Sequence, residues 1–486
     1  MTEKTEQSPQ RSRKAGLVNW LDARVGVRAL LHEALDEPIP GGAKWVYIFG
    51  SGLLFLFVSQ VITGVFLAMY YVPSADHAHT AVSYIVKVVS SGSFIRSIHA
   101  YGSSGIIILL VLHIGQTIVY GSYKGRRELL WLSGCILLAL MLAMAFTGYL
   151  LPWDEKAYFA SAVGTNLIAE VPWIGSPLQE LVRGGPQMGT LTVSRFYVLH
   201  VFVLPGLLIG FIVAHVFFFR KAGAAGPIKE DPVRPKLPAV PFYPRQVMLD
   251  AIFAIALIGV LAVLAHRIPM ELGPAANPAD TTFVPRPEWY YRPAFQWLKY
   301  LSGNWSLIGG IILPAMLALL FASIPFLDRG AERRPWRRPV VVCAFFAFIL
   351  VYAALGVASY DDDAKDPGVA AQIRKQDEDM KRFMQQPFVP DVAASSATVP
   401  VISADPQVAK GLAIFQAQSC NSCHGNGGVG TAAAGPLLGI GQKYTTDQII
   451  ALLKAPNTAM TNGGMPALEL KKEDLEALAA YLHQLR

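Results

Sequence analysis

The sequence predicts an all-α fold: a polytopic membrane helical bundle of seven transmembrane helices, with a small all-α soluble domain after it. Three observations predict this. Only 15% of the 486 residues are charged and 53% are hydrophobic, with mean hydropathy +0.39, whereas soluble domains carry about 25% charge. Seven apolar runs each reach the roughly 20 residues needed to cross a bilayer. Beyond the seventh run the composition turns polar and Gly- and Pro-rich, with helical periodicity at 406–418 and 472–485. This excludes a disordered chain and a coiled coil, and four cysteines exclude a disulfide scaffold.

The elements follow in order. Residues 1–44 are polar or amphipathic and contain no cleavable signal peptide; Leu17–Leu35 reads as a helix lying on the membrane surface. The spans are expected near 45–72, 97–119, 131–151, 196–219, 247–266, 305–327 and 339–359. They form a four-helix section over 45–220 and a three-helix section over 221–360. Residues 361–404 read as a linker and 405–486 as the soluble domain. Cys135 and Cys343 lie inside apolar runs and read as small buried hydrophobes.

The net charge of +7 sits in the membrane part: residues 1–360 carry +10, residues 361–404 carry −3 and the tail sums to zero. Its Lys and Arg lie in short loops, not in an aromatic-interleaved groove, so no nucleic-acid partner is expected. With the N-terminus in the cytoplasm, inner segments hold 21 Lys and Arg and outer loops 9. The positive-inside rule therefore selects that orientation. Seven spans then place the tail on the outer, periplasmic side of a bacterial inner membrane.

Two spans carry paired histidines. His99 and His113 are fourteen residues apart, and His200 and His215 fifteen. Fourteen residues is nearly four turns, so each pair projects from one helix face, roughly 21 Å apart along the axis. Spans two and four run in the same direction, so His99 faces His200 near the outer side and His113 faces His215 near the inner side. Gly50 with Gly64 and Gly134 with Gly148 repeat the fourteen-residue step on spans one and three. A missing Cβ suits the close approach of a flat macrocycle, and imidazoles are axial ligands of haem iron. Isolated intramembrane histidines are more often packed core residues. Four of them with four matched glycines instead predict a dihaem bundle holding two haem b.

In the tail, Cys420-Asn421-Ser422-Cys423-His424 is the C-x-x-C-H attachment signature of one covalent haem c. His424 would take one axial position. Met465, after Gly463-Gly464 and before Pro466, would take the other, with Met460 as the alternative.

The chain resembles cytochrome b of the quinol-oxidising cytochrome bc complexes. The residues that carry the resemblance are Gly148–Phe159 (GYLLPWDEKAYF), Ser194–Pro205 (SRFYVLHVFVLP) and Pro287–Tyr290 (PEWY). It covers about residues 17–360. From Gly411 through Leu485 the tail resembles class I cytochrome c domains, with Gly435-Pro436 as a further landmark. The fifteen-residue histidine step and the three spans after the haem section resemble the chloroplast and Gram-positive branch, with its haem and subunit IV parts in one chain. That branch attaches an extra inner haem through a cysteine whose counterpart here is Ile48, so no covalently held third haem is expected. Ala160 stands where mitochondrial relatives tend to have glycine.

The resemblance implies an activity. The chain would be the cytochrome b/c subunit of a quinol–cytochrome c reductase, contributing to proton-motive force by a Q cycle. On residue type alone, Glu288 reads rather as a solvated loop carboxylate; the resemblance reverses this and makes it the acceptor of a quinol proton at an outer site with Tyr290 and Tyr149, walled by Pro152 and Trp153. One electron would go to a Rieske iron–sulfur protein, a separate partner, since no remaining Cys/His set could hold that cluster. The other would pass through both b haems to an inner quinone, and the c haem would deliver to a cytochrome or terminal oxidase. Arg96 and Arg195 could pair with propionates of the outer haem or anchor the helices at the interface, and Arg126, Arg220 and Lys221 share that ambiguity on the inner side. Arg245 and Asp250 are inner-site candidates. A homodimeric complex is implied. Rival functions are a dihaem quinol dehydrogenase without a Rieske partner, and a seven-helix transporter or redox sensor with a cytochrome appendage.

Overall fold

The computed structural model describes residues 16, 19–29, 35–226, 228, 239–278, 280, 282–390, 405–418, 420–428, 430, 434–457, 460–461 and 465–485. Its described residues are almost wholly helical. Seven helices are long and apolar enough to cross a membrane: Trp45–Ala68, Gly92–Tyr120, Glu128–Leu150, Thr190–Ala222, Arg245–Arg267, Gly303–Ala322 and Pro339–Lys365. Each predicted span falls on one of them. This is a multi-pass membrane protein, and its surface shows it. Val340, Leu350 and Val357 are 70–80% exposed on the seventh span, where a soluble protein would place polar residues.

The chain divides into two compact units, residues 1–71 with 85–386 and residues 72–84 with 387–486. In the first, span one packs along span two and span three along span four, while span five packs on spans one and two. Leu56, Ile98, Ile106, Leu109, Leu261 and Ala265 form the buried seam of spans one, two and five. Around the loop after span two, Ile118, Tyr123 and Trp131 pack with Phe321 and Phe345 of spans six and seven.

Two spans are not regular α-helices throughout. Span four contains a π-turn at Leu199–Val203 and span six one at Ile308–Ile312. Each is followed within two residues by a proline, Pro205 or Pro314, which has no backbone N–H to continue the ladder. A two-stranded ribbon also appears that the sequence did not suggest: Pro38–Pro40 pairs antiparallel with Ala239–Pro241.

A buried polar cluster ties the loop after span two to the loop before span seven. Asp328 accepts from Tyr123 Oη at 2.6 Å and from Lys124 Nζ at 2.5 Å, and Arg338 donates to Tyr123 Oη at 2.8 Å. Burial pushes the Asp328 carboxyl up, but the hydrogen bonds of Lys124 and Tyr123 and the Arg338 charge outweigh it and hold it below the usual carboxylate range.

Two sequence expectations change at the edges. Span seven continues to Lys365, and a further helix occupies Pro367–Gln385, N-capped by Asp366. The linker expected over 361–404 therefore begins as helix, and residues 391–404 lie outside the described residues. Of the surface helix expected over Leu17–Leu35, residues 19–25 and 27–29 are helical and 17–18 and 30–34 lie outside the described residues.

The tail is built from helices Pro406–Ala417, Cys420–His424, Ile440–Lys443, Thr446–Lys454 and Lys472–Gln484. Phe415, Leu475, Leu478, Tyr481 and Leu482 form its core, with the Phe415 and Tyr481 rings 5.4 Å apart. The first and last helices cross at Gly411, where a Cβ would come within 2.6 Å of the Cβ of Tyr481. Only glycine permits that approach.

Candidate functional site

The four intramembrane histidines are presented as the spacing predicts, each opposite one of the glycines on a neighbouring span. A Cβ built on Gly64 would lie 3.2 Å from His99 Cε1, and one on Gly134 3.3 Å from His215 Cε1. One on Gly148 would run into the His200 ring, and one on Gly50 would sit 3.7 Å from His113. Gly64, Gly134 and Gly148 thus make room for an imidazole, while at Gly50 a Cβ would make only ordinary contact.

Hydrogen bonding fixes the tautomers. The Thr63 hydroxyl donates to Ser59 O at 2.7 Å, so the His99 contact at 2.9 Å is Nδ1–H donating to Thr63 Oγ1. Ser133 donates to Leu130 O and accepts from His215 Nδ1 at 2.9 Å. Thr147 donates to Ala143 O and accepts from His200 Nδ1 at 3.2 Å, and that nitrogen also faces Met144 O at 3.1 Å. With the proton on Nδ1, each Nε2 keeps its lone pair, the state a metal ligand requires. The fourth case differs. Phe49 precedes Gly50, and His113 Nδ1 is buried with no hydrogen-bond partner among the described residues.

The His99 and His200 rings stand 6.3 Å apart, centroid to centroid, at 75°. An iron atom about 2 Å from each Nε2 needs a separation of roughly that size. Among the described residues no three His, Cys, Asp or Glu side chains converge as a metal site. Two imidazoles are therefore the whole protein contribution, as for a metal already held by a macrocycle. The residues fit a haem. His200 lies within the π-turn, which takes up the extra residue of the fifteen-residue step and returns His200 and His215 to the phase of His99 and His113.

After the C-terminal end of span three, Asp154 caps helix Glu155–Ala169 through Ala157 N at 2.8 Å and accepts from Gly273 N at 3.1 Å. This brings the Gly148–Phe159 segment to the loop before span six. Lys156 Nζ there donates to Glu288 Oε1 at 2.8 Å, and the Tyr149 hydroxyl donates to Lys156 O at 3.1 Å. Glu288, Tyr149 and Tyr290 thus stand in one group, with Lys156 as an unforeseen fourth member. Tyr290 is buried. Burial, reinforced by the Glu288 charge, pushes its phenol well above the ordinary value. Trp289 Nε1 donates to Ser104 Oγ at 3.2 Å, joining the same turn to span two.

The arginines have backbone partners. Arg96 donates to Met270 O at 2.8 Å and Glu271 O at 3.1 Å, and Arg195 to Leu181 O and Glu180 O. Both tie loops to the spans. Between the start of span three and the end of span four, a cavity of about 450 Å³ is lined by Arg126, Arg127, Phe218 and Lys221. Arg220 pairs with Glu37 at 3.0 Å, while Asp250 accepts from Gln246 at 2.9 Å.

In the tail, Cys420 is partly buried and Cys423 exposed. His424 Nδ1–H donates to Gly435 O at 3.2 Å, again leaving Nε2 bare. Met465 packs on the tail core and its N–H donates to Met460 O at 2.9 Å. Gly463 and Gly464 lie outside the described residues.

Family models match three stretches: "Cytochrome b/b6/petB" over residues 34–223, "Cytochrome b(C-terminal)/b6/petD" over 275–374, and "Cytochrome C oxidase, cbb3-type, subunit III" over 406–482. A cytochrome b of Talaromyces marneffei is 33% identical over 327 residues, 66% of this chain and 83% of the relative. The chain belongs to the cytochrome b family. The cytochrome b of Rhodobacter capsulatus is 32% identical over 369 residues, 70% of this chain and 84% of that one. The "Cytochrome b/c1" of Bradyrhizobium diazoefficiens is 33% identical over 345 residues, and the chain matches about half of its length. A solved chain titled "Hyperthermophilic respiratory Complex III" superposes with a TM-score of 0.63 at 26% identity, covering 76% of this cytochrome b and 98% of that chain. Both halves of cytochrome b and a cytochrome c domain are therefore joined here. The cytochrome b and cytochrome c domains imply haem b and haem c.

Proposed function

We propose that the chain is the b/c subunit of a quinol:cytochrome c oxidoreductase of the bc-complex type. The observation that carries this is the His99–His200 pair, with bare Nε2 atoms on two different spans, in the same unit as the Glu288–Tyr290–Tyr149 group. His99 with His200 would hold an outer haem b, His113 with His215 an inner one. Cys420, Cys423, His424 and Met465 would hold haem c. When bound, the haems supply one-electron carriers at two depths of the bilayer and on the tail.

The chain's own residues do the rest. Glu288, its Oε1 held by Lys156, takes a quinol hydroxyl proton, and as a loop residue it can turn outward with it. Tyr290, its phenol held protonated by burial, donates a hydrogen bond and does not act as a base. A Rieske protein receives the first electron from outside this chain, and the tail delivers to a cytochrome or oxidase. A bacterial inner membrane with the tail outside, the one-chain form of the chloroplast-like branch and a homodimeric complex complete the reading.

A pyridine haemochrome assay on the purified chain tests it. Two haem b per haem c are expected. One haem c with no haem b would overturn the reading.

A further inference from the structure

The seventh span is apolar and exposed over most of its surface, yet one face is polar. Tyr352, Gly356, Ser359 and Asp363 recur at steps of four, three and four residues, which places them on one side of the helix. All four meet the turn that carries Glu288 or its flanks. The Tyr352 hydroxyl donates to Tyr290 O at 2.6 Å. A Cβ on Gly356 would lie 3.4 Å from the Pro293 ring. Ser359 Oγ accepts from Arg292 Nε at 3.1 Å. The Asp363 carboxylate accepts from Arg286 Nε at 2.7 Å and pairs with the guanidinium groups of both Arg286 and Arg292. Arg286 immediately precedes Pro287, and Arg292 follows Tyr290 by two residues.

We propose that Asp363 is a positioning residue for the outer quinol site, gripping both ends of the 286–292 turn and so fixing where Glu288 and Tyr290 stand. Ser359 and Asp363 are buried, only 4% and 7% exposed. A carboxylate there bridges two guanidinium groups and offsets one of their two positive charges, a geometry that Arg forks favour. Arg292 is also set over the Tyr360 ring at 3.7 Å. Removing the negative charge leaves two cations facing each other with little water, and the turn opens from both ends. Displacement of about 1 Å at such a distance from the chemistry costs up to about a hundredfold in rate.

This rests on the quinol-site reading, and the experiment separates the two. Quinol oxidation is assayed in the intact complex for Asp363→Asn, Asp363→Glu and Glu288→Gln, alongside haem content and reduced b-band spectra. Asp363→Asn should raise the quinol KM about tenfold with a smaller fall in kcat, at unchanged haem content. Asp363→Glu, which restores the charge, should recover most of the loss. Unchanged KM and kcat in Asp363→Asn, with kcat lowered in Glu288→Gln, overturns the clamp and leaves the site reading standing. Unchanged kinetics in both overturns the site reading itself. Should Asp363→Asn fail to assemble, Arg286→Gln removes one of the two ion pairs through which Asp363 holds the turn, and an unaltered KM there overturns the proposal.

Discussion

A single methyl group distinguishes the four glycines. At Gly50 a Cβ would meet His113 at 3.7 Å, an ordinary contact, whereas at Gly148 it would collide with the His200 ring. Gly50→Ala should therefore retain full haem b, and Gly148→Ala should lose about half of it with haem c unchanged. Optical haem quantification checks both, and equal retention would contradict the packing. The histidines and glycines were legible because helical period and a shared fourteen-residue step place them without any knowledge of tertiary contacts. The hydroxyls on Nδ1 were less legible, although Thr63-Gly64, Ser133-Gly134 and Thr147-Gly148 show a Ser or Thr before three of the four glycines. Lys156 lay inside the quoted Gly148–Phe159 run, but its partner is 132 residues away. No local pattern signals an ion pair across that interval.

At the scale of elements, spans one to seven were read correctly because bilayer thickness dictates their length. Their irregularities were not read. The π-turns at Leu199–Val203 and Ile308–Ile312 were signalled by Pro205 and Pro314 inside apolar runs, a mark that also fits a simple kink. The polar ends were misjudged for another reason. Asp361–Asp363 looks like the start of a solvated linker, and only the arrival of Arg286 and Arg292 from another loop turns it into the last turn of a helix. The Asp328 cluster has the same character. Asp328→Asn leaves Lys124, 7% exposed, without its counter-charge, so a loss of about 3 kcal/mol is expected. The Asp328 carboxyl is held below its usual range. Its stabilisation is therefore complete above about pH 4, the unfolded value, and is lost as pH falls through the lower folded value. Thermal melts of the intact protein and Asp328→Asn should differ at neutral pH and converge in acid.

For the whole molecule, the two units carry separate chemistry. Replacing both Cys420 and Cys423 by Ala should abolish covalent haem c and leave the haem b spectrum intact, read by haem stain and by reduced-minus-oxidised difference spectra. Loss of haem b in that variant would show that the tail supports the membrane part. The boundary between the units was only approximately legible: composition shifts near 361, whereas the compact membrane unit runs to residue 386.

The pairing of His99 with His200, and of each imidazole with a glycine on another span, has a consequence for how such a protein is made. No single helix, and neither helix pair alone, presents both nitrogens of a site. On the proposed ligation, a chain entering the membrane from its N-terminus cannot complete either histidine pair until the fourth span, ending at Ala222, is in place. Both pairs then complete almost together, before the three later spans or the tail have been synthesised. The proposed membrane ligand sets thus exist before Cys420 and Cys423 do.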